Sequence, residues 1–349
     1  MNMKKMILFF LAILIGSSMS AGSNMIDLSS AWNNTGRDLK LSDMYKTVTY
    51  SLVNNKGYIA PYGKTEVCDN VLLNNQQLYH KSGLLVYFDF RDPNKLVRDD
   101  GLFQHNNAVY YYQFYGEKLY IYDKNGFEIS QIELPPFVDR IQSLPNGLLL
   151  GYRTKSINIT DKGLPEYCII SPLEKKILNT VYSLSEKDAV NNKLWYPLMF
   201  NTAWVWQGKT FFYCNVTNEV SEIIPSENSL NVPLYSINKS PYSIDYPLTI
   251  QSDPDKWKMG ENMNIIEIKE SGSYILFKVS FKNEMQWIAY NKNTNEAFKV
   301  NKIISDIDGI ADGNCIYPYE QLDNGRKELL RKEFKDRLKN NSVVCVFYL

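Results

Sequence analysis

Along most of this chain apolar and polar positions alternate in short runs, and the runs are bounded by Asn, Asp, Gly and Lys. A period of two is the mark of an extended strand, whose successive side chains point to opposite faces. Runs rich in Tyr, Phe, Val and Ile recur from Val48 almost to the last residue, while helical periodicity is scarce. Leu119 to Asp123, then Lys124, Asn125 and Gly126, then Phe127 to Leu134 predicts a hairpin, because Asn-Gly tolerates the positive φ that tight turns demand. The same grammar returns at Trp287 to Asn291 and Ala297 to Val300 around Lys292 to Glu296. A looser version joins Tyr167 to Ile170 and Lys176 to Val181 through Ser171 to Lys175.

Further strands are expected over Val71 to Tyr79, Leu84 to Phe90, Ala108 to Phe114, Gly147 to Arg153, Ala203 to Trp206, Thr210 to Val216, Ile265 to Lys269 and Tyr274 to Phe281. A short surface helix is expected near the C-terminus, from Arg326 to Lys339, where Leu330, Phe334 and Leu338 form one apolar stripe among charges. After it, Ser342 to Leu349 is an apolar strand that would be a hazard as an open edge. Thr47 to Val53 is its natural partner, and that pairing would join the two ends of the chain.

The amino terminus has a different pattern. Lys4 and Lys5 precede an apolar run from Met6 to Ile15, and small residues around Gly16 to Ala21 offer a cleavage site. This predicts a signal peptide over residues 1–21, since the run is too short to span a bilayer. The first cysteine is Cys68, so no lipobox cysteine follows the run, and no later segment predicts a transmembrane helix. Residues 22–349 then form a single domain with a large core. At roughly 40 to 55 residues per blade, that length predicts a β-propeller of about six to eight blades, although strand counting alone also fits a pair of β-sandwiches.

The alternating hairpins are similar to those of a known family. Leu41 to Leu52 looks like that family's opening segment, Tyr120 to Gly126 like one of its blade hairpins, and Val216 to Ile223, Pro233 to Ile237, Ile265 to Ser271 and Asp306 to Gly309 like its later part. In their order these segments resemble the exported six-bladed β-propellers of Bacteroidetes, many of them lipid-anchored. The resemblance implies an all-β propeller of about six blades, exported to the periplasm or cell exterior. It brings no catalytic residues to carry over.

Lys plus Arg equals Asp plus Glu at 38 each, which removes the electrostatic case for nucleic acid or an anionic membrane as partner. Five cysteines at 68, 168, 214, 315 and 345 sit among apolar residues with no zinc spacing, and read as buried free thiols, with one disulfide as the alternative. His80 and His105, the only histidines, both adjoin turn-forming residues and read as loop hydrogen-bonding groups rather than metal ligands or triad members. Asp306, Asp308 and Asp312 approach calcium-loop spacing, but Ile310 and Tyr317 stand where two ligands belong, so an Asp-stabilised turn is expected and no metal or other cofactor. GxxxxGK[ST], GxSxG and HExxH are missing, and 38 acids nominate no particular carboxylate pair.

Aromatic residues are the remaining signal. Trp195, Tyr196, Trp204 and Trp206 crowd one stretch and could form a ligand platform, though blades also pack with such residues and Trp204 and Trp206 share one strand face. The expectation is a non-enzymatic exported binding or scaffold propeller for a glycan, peptide or partner protein. The alternative is a hydrolase or lyase for carbohydrate or lactone, with acids at the central channel.

Overall fold

The computed structural model describes residues 24–44, 47–54, 65–68, 71–74, 76–80, 88–89, 97–154, 163–182, 201–225, 230–242, 262–304, 316–318 and 341–348. The expected signal peptide, Trp195 and Tyr196, the Asp306 to Asp312 turn and the helix over 326–339 lie outside these residues, as do the side chains of His80, Cys68 and Cys345.

The described chain begins with β1 (Asn24–Asp27), helix α1 (Leu28–Asn33) and β2 (Arg37–Lys40), followed by β3 (Thr47–Asn54). Short alternating runs then fold as successive antiparallel meanders. They are β4 (Thr65–Cys68), β5 (Val71–Asn74), β6 (Gln77–His80) and β7 (Phe88–Asp89); β8 (Val97–His105), β9 (Ala108–Tyr115), β10 (Lys118–Tyr122) and β11 (Glu128–Glu133); and β12 (Arg140–Ser143), β13 (Leu149–Tyr152), β14 (Pro165–Ser171) and β15 (Lys176–Tyr182). Next come β16 (Thr202–Trp206), β17 (Lys209–Cys214), β18 (Glu219–Ile224) and β19 (Leu230–Asn238), then β20 (Asn264–Ser271), β21 (Tyr274–Phe281), β22 (Glu284–Asn291) and β23 (Glu296–Ile304). A last sheet holds β24 (Ile316–Pro318) and β25 (Asn341–Tyr348).

This is an all-β fold, a β-propeller. The first strands of consecutive sheets touch one another, β4 with β8, β8 with β12, β12 with β16 and β16 with β20, so they form the inner rim of the ring. Head and tail share a sheet: β25 pairs antiparallel with β3 from Tyr348 opposite Thr47 to Asn341 opposite Asn54, as the two terminal runs predict. Aliphatic and aromatic side chains fill the space between sheets. One cluster, including Tyr112, Phe114, Ile121 and Ile170, joins the β8–β11 and β12–β15 sheets. Another, including Tyr167, Ile169, Ala203 and Phe212, joins the β12–β15 and β16–β19 sheets.

The segment before β3 straps two sheets from outside. β1 adds in parallel to the outer strand β19, and β2 adds in parallel to β23. Between them α1 is started by Asp27, whose carboxylate accepts the Ser30 amide at 3.0 Å and the Ser29 and Ser30 hydroxyls at 2.8 Å each. Such a cap satisfies amides that a helix's first turn leaves unpaired. Ile26, Leu28, Ala31 and Trp32 sink into the core shared by these two sheets, where Trp32 meets Phe281 edge to face at 5.4 Å.

Three local expectations are corrected. The run Val71 to Tyr79 is a hairpin rather than one strand, because Gln76 takes φ 63° and turns the chain. The Lys124 to Gly126 turn is wider than a two-residue Asn-Gly turn. Only Gly126 has positive φ, and the Asp123 carboxylate holds the bend by accepting the amides of Asn125 and Phe127 at 2.8 and 2.9 Å. A helix, α1, also stands in a stretch for which no element is expected.

Candidate functional site

Turns that follow the inner strands converge at one mouth of the ring. Between β8 and β9 the turn is Asn106 and Asn107, at φ 48° and 62°, with His105 paired to Ala108. Asparagine tolerates this left-handed backbone, which suits the twist of a tight hairpin. In the next sheet the chain leaving β12 passes through Pro145, Asn146 and Gly147, the last two at φ 61° and 75°. The third turn, between β16 and β17, is Gln207 and Gly208 at φ 48° and 73°.

His105 locks the first turn to the second. Its Nδ1 lies 2.9 Å from the Asn146 carbonyl oxygen and its Nε2 lies 3.0 Å from the Asn106 side-chain nitrogen. Because a carbonyl oxygen only accepts, the tautomer that satisfies both contacts carries its proton on Nδ1 and accepts the Asn106 amide on Nε2. A Cβ on Gly147 would stand 2.4 Å from Nδ1, so glycine is required there by space as well as by backbone.

These turns and strand ends enclose a cavity of about 920 Å³. Gln104 to Asn107 line it from the first sheet and Gln142 to Asn146 from the second. Ala203, Trp204, Val205 and Gly208 line it from the third, and Lys269 of β20 reaches it from the fourth. Trp204 is nearly buried, stacks on Phe211 at 5.5 Å, and donates its indole N–H to Glu270 at 3.0 Å. Glu270 also accepts from Lys292 at 2.8 Å, and that ammonium stands 5.3 Å over the Trp206 ring.

The structure therefore brings Trp204 to the cavity and leaves Trp206 outside its lining, packed against the core. Lys269 is engaged, its Nζ 3.0 Å from Glu267 and 5.5 Å from the Trp287 ring. Among the described residues no three His, Cys, Asp or Glu side chains are grouped to hold a metal ion. Sequence reasoning placed His105 at a turn and missed its role in building the cavity; two adjacent asparagines after an apolar run were the available signal of a tight turn.

A second polar cluster occupies the opposite end of β16. Asn201 precedes that strand whereas Gly208 follows it, so the cluster and the cavity sit at its two ends. Arg153 and Glu166 pair at 2.9 Å while both are buried, and the other Glu166 oxygen accepts Asn201 at 2.6 Å. Asn201 in turn accepts the Asn215 amide at 2.9 Å. Lys239 ends the chain of contacts, donating to the Tyr213 hydroxyl at 3.1 Å and to Asn215 Oδ1 at 3.0 Å while only 4% exposed.

Burial without a carboxylate partner among the described residues pulls the Lys239 ammonium down from its usual 10.5 to about 7. The unfolded chain then holds a proton that the folded chain releases between pH 7 and 10.5. Stability from this group is lowest below pH 7 and grows as pH rises through that window, by up to about 1.4 kcal/mol per pH unit. Denaturant unfolding at pH 7.0, 7.75 and 8.5 should record the rise, and Lys239→Met should flatten it. This range stays below the window in which the buried Cys168 thiol, pushed by desolvation from 9.0 to about 12, acts in the opposite direction. An equal slope in both proteins would show that Lys239 is not its source.

Cys168 and Cys214 are free thiols in strands β14 and β17. No helix among the described residues is long and apolar enough to cross a membrane.

No protein-family model matches the chain, and no curated protein does. Among solved structures, it is similar to a Bacteroides fragilis protein described as exported, with 13% identity and a TM-score of 0.56 over 93% of this chain and 99% of the other. A virginiamycin B lyase from Staphylococcus aureus aligns with 12% identity and a TM-score of 0.39, over 73% of this chain and 74% of the lyase. The extracellular domain of a hybrid two-component system of B. thetaiotaomicron aligns with 10% identity and a TM-score of 0.38, over 73% of this chain and 29% of that one. At such identities the first of these likenesses speaks for the fold alone, and the other two are too distant to carry an argument.

Proposed function

We propose that this chain is an exported binding propeller that holds its ligand in the cavity at the mouth built from the Asn106, Asn146 and Gly208 turns. Each of the six sheets among the described residues serves as one blade, residues 1–21 direct export, and the mature chain works in the periplasm or outside the cell. The observation that carries this reading is the convergence of inner-strand ends from consecutive sheets around a space of about 920 Å³, toward the upper end of the size range of small-molecule sites. The resemblance to exported propellers fits it, although architecture alone does not choose an activity.

Hydrolysis or elimination at the channel would require acids aimed at a substrate. The described lining instead offers amides, a serine hydroxyl and a histidine whose two ring nitrogens are both engaged, which supports binding over turnover. A ligand that binds only the folded state raises its unfolding midpoint, by an amount equivalent to about 2.7 kcal/mol at one hundred times the dissociation constant. Pools of oligosaccharides and of peptides, added separately to the mature chain in thermal unfolding, should yield at least one stabilising pool with no product released. Release of shortened oligosaccharides would overturn the reading in favour of a hydrolase or lyase.

A further inference from the structure

The proposed binding site carries a chemical selectivity, and we infer that its ligand is a neutral, polyhydroxylated molecule of the saccharide class, held by amides rather than by aromatic stacking. This rests on the reading that the cavity is the binding site. Gln104, Asn107 and Gln142 line it with primary amides, and the side chains of Gln104 and Asn107 find no hydrogen-bond partner among the described residues. Gln142 spends one N–H on the Ser143 hydroxyl at 3.2 Å and keeps its carbonyl oxygen and its second N–H.

Each such amide both donates and accepts, and a sugar hydroxyl does the same, so the two kinds of group satisfy each other without charge. Charged ligands are poorly served. Lys269, the only cation among the described lining residues, is taken by Glu267 and the Trp287 face, and no carboxylate is present among those residues to receive a cation. A wholly apolar ligand would leave the amides desolvated and unpaired, at a cost for each of them.

Among the described lining residues the aromatic route is closed as well, because Phe103 is buried and Trp204, itself nearly buried, stacks on Phe211 and donates its N–H to Glu270. Apolar contact comes instead from Val205, 43% exposed at the edge of the cavity, and from Pro145, both suited to the C–H face of a sugar ring.

Calorimetric titration of the mature chain with a panel of neutral oligosaccharides, a panel of oligogalacturonates and a peptide pool tests this. The expected result is binding of at least one neutral oligosaccharide, weakened by about tenfold in each of Gln104→Ala and Gln142→Ala and unchanged between low and high salt. Gln104 is exposed and Gln142 half-buried, and an unchanged unfolding midpoint shows that each variant remains folded. If only oligogalacturonates or peptides bind, and the same substitutions weaken them, the cavity stands as the binding site and the neutral-saccharide inference falls. A neutral oligosaccharide that binds equally well to both variants places its site elsewhere and overturns the inference, and silence from all three classes overturns the binding reading with it.

Discussion

Replacing Glu166 by alanine should destabilise the protein by about 3 to 5 kcal/mol, among the largest effects open to a single polar substitution here. Arg153 shows none of its surface to solvent, and its guanidinium meets Glu166 on one side and the Pro165 carbonyl at 2.9 Å on the other. Removing the acid leaves a cation that water cannot reach. It also strips Asn201 of its acceptor and so breaks a hydrogen bond between the β12–β15 and β16–β19 sheets, leaving Asn201 held by the Asn215 amide. The double replacement Arg153→Met with Glu166→Met should cost much less than Glu166→Ala alone, because it removes both charges together. Urea unfolding of the three proteins measures this, and a Glu166→Ala loss below about 1 kcal/mol would mean that water or a neighbouring group compensates Arg153.

How well each region could be read from sequence follows from which force shapes it. The hairpins at β10–β11, β14–β15 and β22–β23 were legible because side-chain alternation and turn residues agree there. In β8 they disagree: Asp99, Asp100 and Gly101 look like a strand breaker, yet Gly101 pairs with Tyr112 and the buried Asp99 carboxylate accepts the Ile141 amide of the next sheet at 2.8 Å. A tertiary contact, invisible in the local pattern, satisfies what would otherwise end the strand. At the β5–β6 turn the signal was present, since Asn74 and Asn75 follow an apolar run, but the apolar residues on both sides read as one continuous strand.

Of the aromatic residues that the sequence singled out for a ligand platform, Trp204 lines the cavity, while Trp195 and Tyr196 lie outside the described residues. The cavity's other parts are amides and a histidine on turns, whose meaning depends on three distant stretches of chain arriving at one mouth. Aromatic density pointed to Trp206 with equal force, but the position two residues further along the strand falls beyond the cavity. The fold was easier to read than the site because burial repeats in every sheet, whereas a binding surface is assembled once.

Removing residues 1–46, so that the chain starts at β3, should abolish cooperative folding. The strap over 24–44 buries Ile26 and Leu28 completely and Leu39, Met44 and Trp32 almost so. At about 1.5 to 3 kcal/mol for each large buried apolar side chain, these five contribute roughly 7 kcal/mol or more, against a total stability of about 5 to 15 kcal/mol for a typical domain. Truncation would also leave the long outer strands β19 and β23 as open edges, the arrangement that invites pairing with other chains. The expected protein is aggregated or lacks a single sharp unfolding transition by circular dichroism. Trp32→Ala in the full chain is the milder probe, with an expected loss of about 3 to 5 kcal/mol from the cavity left against Phe281. A truncated chain that stays monomeric and melts within a few degrees of its parent would show that the ring sealed by β3 and β25 is stable without its strap. The burial at Trp32 would then be a consequence of the ring rather than a support for it.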